Sequence, residues 1–141
     1  MMKRYLMMLG LAGMALTQVG WSGYVTSYGA SVHWTDAEIP FVVDSKGTVS
    51  VPGDAEFMAI MRSFDTWNGV ECTHPDFVYG GKVTGIKAKA GENEIDGNNL
   101  IIWEDADEWT YSASTKTIAL TTLFYNPVTG VAEEADMELA D

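Results

Sequence analysis

The side chains able to do chemistry near neutral pH are few in some types and abundant in others. The chain holds two histidines, His33 and His74, one cysteine, Cys72, and twenty aspartates and glutamates against eight lysines and arginines. A catalytic zinc needs three protein ligands at fixed spacing, most recognisably two histidines one helical turn apart. His33 and His74 lie far apart, neither has a histidine four residues on, and Pro75 follows His74, so both read as surface or hydrogen-bonded imidazoles. No Gly-x-Ser-x-Gly elbow presents a serine nucleophile. Cys72 has no intrachain partner, and just past a helix C-terminus the dipole raises a thiol pKa instead of lowering it. Carboxylates are better supplied. Glu104, Asp105, Asp107 and Glu108 lie between Trp103 and Trp109, with Tyr111 beyond, the inventory of a sugar platform flanked by acids and equally of a solvated acidic loop. Glu133, Glu134, Asp136, Glu138 and Asp141 could offer oxygens to Ca²⁺, but they lack EF-hand spacing, and a charged strand face is the plainer reading.

The elements that must position these groups belong to one domain, because 141 residues fall within the usual span of about 100–200. A formal charge of −12 repels phosphate backbones and anionic lipid heads and excludes nucleic acid as a partner. A 47% hydrophobic fraction with five Trp, six Tyr and five Phe supplies a core, which excludes a wholly disordered acidic chain. Lys3-Arg4 precede an apolar run from Tyr5 to Leu16 that gives way to small residues around Gly20, Ser22 and Gly23, the order of a secretory signal. That run is shorter than the roughly 20 residues of a membrane-spanning helix. Residues 1–23 are therefore expected to be a signal peptide and 24–141 a secreted or periplasmic domain, with no membrane association after cleavage.

Tyr24 to Glu38 reads as an extended lead-in. Ile39-Pro40-Phe41-Val42-Val43 reads as a strand closed by the turn Asp44-Ser45-Lys46-Gly47. Pro52-Gly53-Asp54 opens the one strong helix, with Asp54 as N-cap, Phe57, Ile60, Met61, Phe64 and Trp67 at helical spacing, and Gly69 as a left-handed terminator. Phe77-Val78-Tyr79 reads as strand. Asp96-Gly97 signals a turn before Leu100-Ile101-Ile102-Trp103, which is too apolar for a one-sided strand and is expected at the centre of the sheet. Thr117 to Tyr125 and Val131 to Leu139 complete the set. In the last, Ala135, Met137 and Leu139 alternate with Asp136 and Glu138, which predicts a buried apolar face and a wet acidic one. The expected class is α+β, with one main helix and about five strands in a mixed, twisted sheet.

The order of these marks resembles the first half of a secreted matrixin-type metzincin, a zinc endopeptidase. The likeness runs from Trp34 to Asp141 and is carried by the strand Ile39 to Val43, the helix ending Phe64-Asp65-Thr66-Trp67-Asn68-Gly69-Val70, Asp96-Gly97-Asn98-Asn99-Leu100-Ile101-Ile102-Trp103, Ile118-Ala119-Leu120-Thr121-Thr122, and Thr129-Gly130-Val131 through Leu139. The resemblance implies the N-terminal subdomain of the catalytic domain, in which Ala119 and Leu120 lie on the strand that receives the substrate peptide by strand addition. It also implies a Zn²⁺-bound water with a glutamate base. The motif that supplies those groups, His-Glu-x-x-His-x-x-Gly-x-x-His, does not occur in the chain, and Thr121 stands where matrixins often place a structural-zinc histidine. No catalytic residue or zinc ligand is therefore assigned, and Asp136, Glu138 and Asp141 stay as calcium candidates. The expected product is an incomplete catalytic domain, inactive alone, with one sheet face left wet for want of the helix that would follow. The alternative is a small secreted β-rich module that binds glycan or protein through Trp103, Trp109 and Tyr111.

Overall fold

The computed structural model describes residues 23–71, 75–85, 95–105 and 117–141. The leader up to residue 22, Cys72, His74, Asp107, Glu108, Trp109 and Tyr111 lie outside the described residues. The elements are β1 (Glu38–Asp44), α1 (Ala55–Asn68), β2 (Asp76–Val83), β3 (Asn99–Glu104), β4 (Ala119–Tyr125) and β5 (Ala132–Ala140). The strands form one sheet in the order β2-β1-β3-β5-β4. The β1/β2, β1/β3 and β3/β5 pairs are parallel and β4/β5 is antiparallel, so the sheet is mixed. Leu100-Ile101-Ile102-Trp103 forms the body of the central strand, and all four residues are buried, as its unbroken apolar run predicts.

Helix α1 covers one face. Phe57, Ile60, Met61 and Phe64 pack onto Phe41, Val43, Ile101 and Trp103. The Phe41 and Phe64 rings stack at 3.9 Å between centroids, and Phe57 meets Trp103 edge-on at 5.5 Å. Trp67 falls off this stripe and is 54% exposed. Asp54 and Gly69 stand at the N-cap and C-cap as expected, but Asp54 makes no side-chain capping bond, its carboxylate pairing with Lys82 on β2 at 3.0 Å, and Gly69 ends the helix in right-handed geometry at φ −75°.

The opposite face departs from expectation. Leu100 and Ile102, which the register turns away from α1, are 1% and 5% exposed, so no wet apolar face is left on the central strand. The last strand inverts the expected pattern too. Glu134, Asp136 and Glu138 are buried, while Ala135, Met137 and Leu139 on the α1 side are only partly so. The reason lies in the start of β3, where side chains replace backbone partners. Asn99 accepts the Ala135 N–H through Oδ1 at 2.8 Å and donates through Nδ2 to the Pro40 carbonyl at 2.8 Å, joining three strands. Asp136 Oδ1 accepts the Leu100 N–H at 3.1 Å, and Glu134 Oε2 accepts the N–H groups of Asp96 and Gly97 at 2.7 and 2.6 Å. Buried polar groups must be paired: Glu134 serves the donors of the turn before β3, and Asp136 serves a donor of β3 itself.

The lead-in is fastened to the start of β5. His33 N–H donates to the Gly130 carbonyl at 3.0 Å and Ala132 N–H to the His33 carbonyl at 2.8 Å. A Cβ at Gly130, where φ is +78°, would collide with the Ser31 carbonyl oxygen, so glycine is required there.

Phe41 carries the core between sheet and helix. Replacing Phe41 with Ala is expected to lower the unfolding free energy by about 3–5 kcal/mol, read from urea denaturation, and a loss below about 1 kcal/mol would refute the central place given to the Phe41–Phe64 stack.

Candidate functional site

The sheet has two outer strands, β2 and β4, and they are built differently. In an antiparallel ladder alternate residue pairs exchange backbone hydrogen bonds, and the residues between them direct N–H and C=O away from the partner. Ala140 N–H donates to the Ile118 carbonyl at 3.1 Å, which sets the phase. Leu120, Thr122 and Phe124, opposite Glu138, Asp136 and Glu134, therefore turn their backbone groups toward β5. Ala119, Thr121 and Leu123 turn theirs outward. Of the two residues that the resemblance implies for substrate contact, Ala119 presents its backbone to the outside and Leu120 does not. Thr121 and Leu123 complete the outward set, a signal that period-two counting from Ala119 contains once the phase is known. No charged residue, proline or glycine lies in Ala119–Tyr125, and among the described residues no strand pairs with the outer side of β4.

The β2 edge is guarded. Asp76 N–H donates inward to the Ala37 carbonyl, so Phe77 faces outward. There the carboxamide of Asn68, the last residue of α1, accepts the Phe77 N–H and donates to the Phe77 carbonyl, both at 2.8 Å. The side chain thus occupies the two groups that a further strand would use. The register of β1 against β2 slips between Phe41 and Val43, and Lys82 follows, both of which discourage edge pairing. Lys82 Nζ lies 3.3 Å from the Phe57 ring centroid, beside a shallow cleft of about 300 Å³ walled by Phe57, Met58 and Met61.

The calcium candidates do not converge. Asp136 and Glu138 share the face away from α1, whereas Asp141, beyond the end of β5, accepts from the Thr48 hydroxyl. That hydroxyl holds the Asp141 carboxyl below its ordinary range, against a smaller opposing effect of burial, and Ser50, the Val49 N–H and Lys46 add to the lowering. Burial pushes Glu138 up, helped by the charges of Glu104 and Asp136. Burial also raises Glu134, against the pull of its two N–H donors. Among the described residues no three His, Cys, Asp or Glu side chains come together to hold a metal ion. His33 is exposed and its Nδ1 bonds the Ser31 carbonyl at 2.8 Å.

Trp103 is 6% exposed and packs under α1, so it is no surface platform for a sugar ring. Glu104 and Asp105 follow it at the C-terminal end of β3, where Asp105 pairs with Lys46 at 2.8 Å. Among the described residues no helix is long and apolar enough to cross a membrane. Compared with known proteins, the chain matches no family model, no curated protein and no solved structure.

The Asn68 plug makes a prediction of its own. Asn68→Ala is expected to free the Phe77 backbone groups and produce concentration-dependent self-association, read by size-exclusion chromatography with light scattering. A variant that stays as dispersed as the parent at every concentration would show that Asn68 does not guard the edge.

Proposed function

We propose that the chain is an exported, matrixin-like homologue of zinc metalloendopeptidases that captures an extended peptide or protein segment along β4 and has no peptidase activity by itself. The observation that carries this reading is the uncharged edge of β4, unpaired among the described strands, with the backbone groups of Ala119, Thr121 and Leu123 directed outward from an antiparallel ladder. An extended peptide laid there would gain main-chain hydrogen bonds at every second residue, and the flanking side chains would set its selectivity. The position of β4 at one end of the sheet supports the reading, because the resemblance implies a substrate edge in this part of the chain. The contrast with β2 supports it further. Among the described residues Asn68 blocks one edge and nothing blocks the other, a contrast that favours a use for the second.

Hydrolysis is a separate matter. In the complete family enzyme the resemblance implies a zinc-bound water as attacking group, and the described residues hold no ligand set for that ion. The chain's own contribution is to bind and extend the peptide. Export to the periplasm or medium rests on the leader-like first residues. The glycan-binding alternative loses one of its three rings to the core in Trp103, so the peptide reading is preferred.

The test is hydrogen exchange with a capped, valine-rich hexapeptide. Added peptide is expected to slow exchange at Ala119, Thr121 and Leu123 and to leave Leu120 and Thr122 unchanged. Thr121→Pro removes one outward N–H while sparing the ladder to β5, so the variant is expected to fold and to lose the protection. Absence of protection at saturating peptide, or protection that survives Thr121→Pro, would refute capture along this edge. Incubation with casein and added Zn²⁺ is expected to give no cleavage, and sustained chelator-sensitive turnover would contradict the claim of inactivity.

A further inference from the structure

Three carboxylates in alternate positions of β5 lie on one face and are almost fully removed from solvent: Glu134 at 0%, Asp136 at 3% and Glu138 at 6% exposed. Asp136 uses an oxygen on the Leu100 N–H, and Glu134 uses Oε2 on two backbone donors. The other Glu134 oxygen, Oε1, and Oε1 of Glu138 are buried with no hydrogen-bond partner. A buried, unpaired carboxylate oxygen costs several kcal/mol when the group is ionised, and the usual relief is a proton.

Among the described residues, the surroundings of Glu138 offer no neutralising charge. On β3, Ile102 pairs with Glu138, and Glu104 is the ionisable residue on the same face. On β4, the residues of that face are Leu120, Thr122 and Phe124, none of which titrates. On β5 itself the neighbours are Asp136 and, beyond it, Glu134, beside which Asp96 lies in the preceding turn. The charges acting on Glu138, those of Glu104 and Asp136, are both negative. The described cations are Lys46, which pairs with Asp105, and Arg62 and Lys82 on the α1 side.

We infer that Glu138, with Glu134 in support, is a proton-dependent latch on the β3–β5–β4 half of the sheet. The latch is closed when Glu138 holds a proton, and it loosens when Glu138 ionises. The inference does not depend on the peptide reading, although Leu120, the partner of Glu138, belongs to the edge strand.

The direction of the pH effect follows from linkage. A carboxyl whose proton is held more tightly in the folded chain than in the unfolded one gives the native state extra bound protons. Stability therefore falls as pH rises from the ordinary glutamate range, about 4.3, through the raised native value. Asp141 acts in the opposite sense: its stabilisation is present above the ordinary aspartate range and is lost as pH falls below it.

The experiment is urea unfolding of the whole chain at a series of values from about pH 5 to about pH 8, in the parent, Glu138→Gln, and Glu133→Gln as an exposed control on the same strand. The parent midpoint is expected to fall across the series. Glu138→Gln is expected to flatten that fall and to exceed the parent at the alkaline end, while Glu133→Gln follows the parent. A carbon-13 titration of the parent's glutamate carboxyls, which does not require the variant to fold, is expected to show a resonance titrating above the ordinary range. A parent midpoint that rises or stays level with pH, a slope unaffected by Glu138→Gln, or glutamates that all titrate normally would each overturn the inference.

Discussion

Burial of the central strand on both faces is the constraint from which the rest of the architecture follows. Ile101 and Trp103 need cover on one side and Leu100 and Ile102 on the other, and none of the four retains more than 6% of its surface. On the first side the cover is α1, whose Phe57, Ile60, Met61 and Phe64 arrive at helical spacing. On the second side the strands next to β3 must bury whatever they carry. β5 carries acids there, so its carboxylates are drawn inside. Two of them find backbone donors there, Glu134 in the turn before β3 and Asp136 at Leu100 of β3 itself.

Much of this was legible from the chain itself, and the failures are instructive. The run Leu100 to Trp103 announces a central strand because no polar residue interrupts it. Ile39 to Val43 and the helix from Ala55 are equally plain, since their periodicity is a local property. The β5 alternation misleads for a definite reason: polarity indicates the wet face only where solvent is the available partner, and the partners here are backbone donors from a turn distant in sequence. Distance in sequence also defeats the side-chain bond expected at the N-cap. Asp54 has the right type for an N-cap, yet Lys82 on β2 claims its carboxylate. Trp103 beside acids suggests a sugar platform, but the inward phase of β3 puts the ring beneath Phe57. At the candidate site, Ala119 is readable as an edge residue. The inward turn of Leu120 is not, because phase is set by which pair in the ladder exchanges bonds.

The two edges show how the same polymer problem receives opposite treatments. An outer strand exposes half its backbone groups, and a soluble chain ordinarily covers or distorts them. At β2 the covering group is a carboxamide, which offers the same donor and acceptor as a peptide bond and so substitutes for a neighbouring strand at Phe77 without extending the sheet. Only a helix that ends beside the strand can deliver it, so the length of α1 and the protection of β2 are one feature. β4 has no helix beside it among the described elements and receives no such residue.

The open edge is also the strand least independently supported. Among the described strands β4 pairs with β5 alone, and residues that face β5 lie opposite the three acids: Leu120 to Glu138, Thr122 to Asp136, Phe124 to Glu134. The firmness of the edge is thus tied to the electrostatic state of the strand it pairs with. Added negative charge in that row raises the energy of the paired state without touching the outward backbone groups, so affinity for an added strand and stability of the strand that receives it are governed by different atoms. Ala119, Thr121 and Leu123 govern the first and Glu138 and Glu134 the second. Substitutions in the two sets should therefore act on separable quantities even though both lie on one pair of strands, since outward N–H groups report on the ligand while inward carboxyls report on the proton.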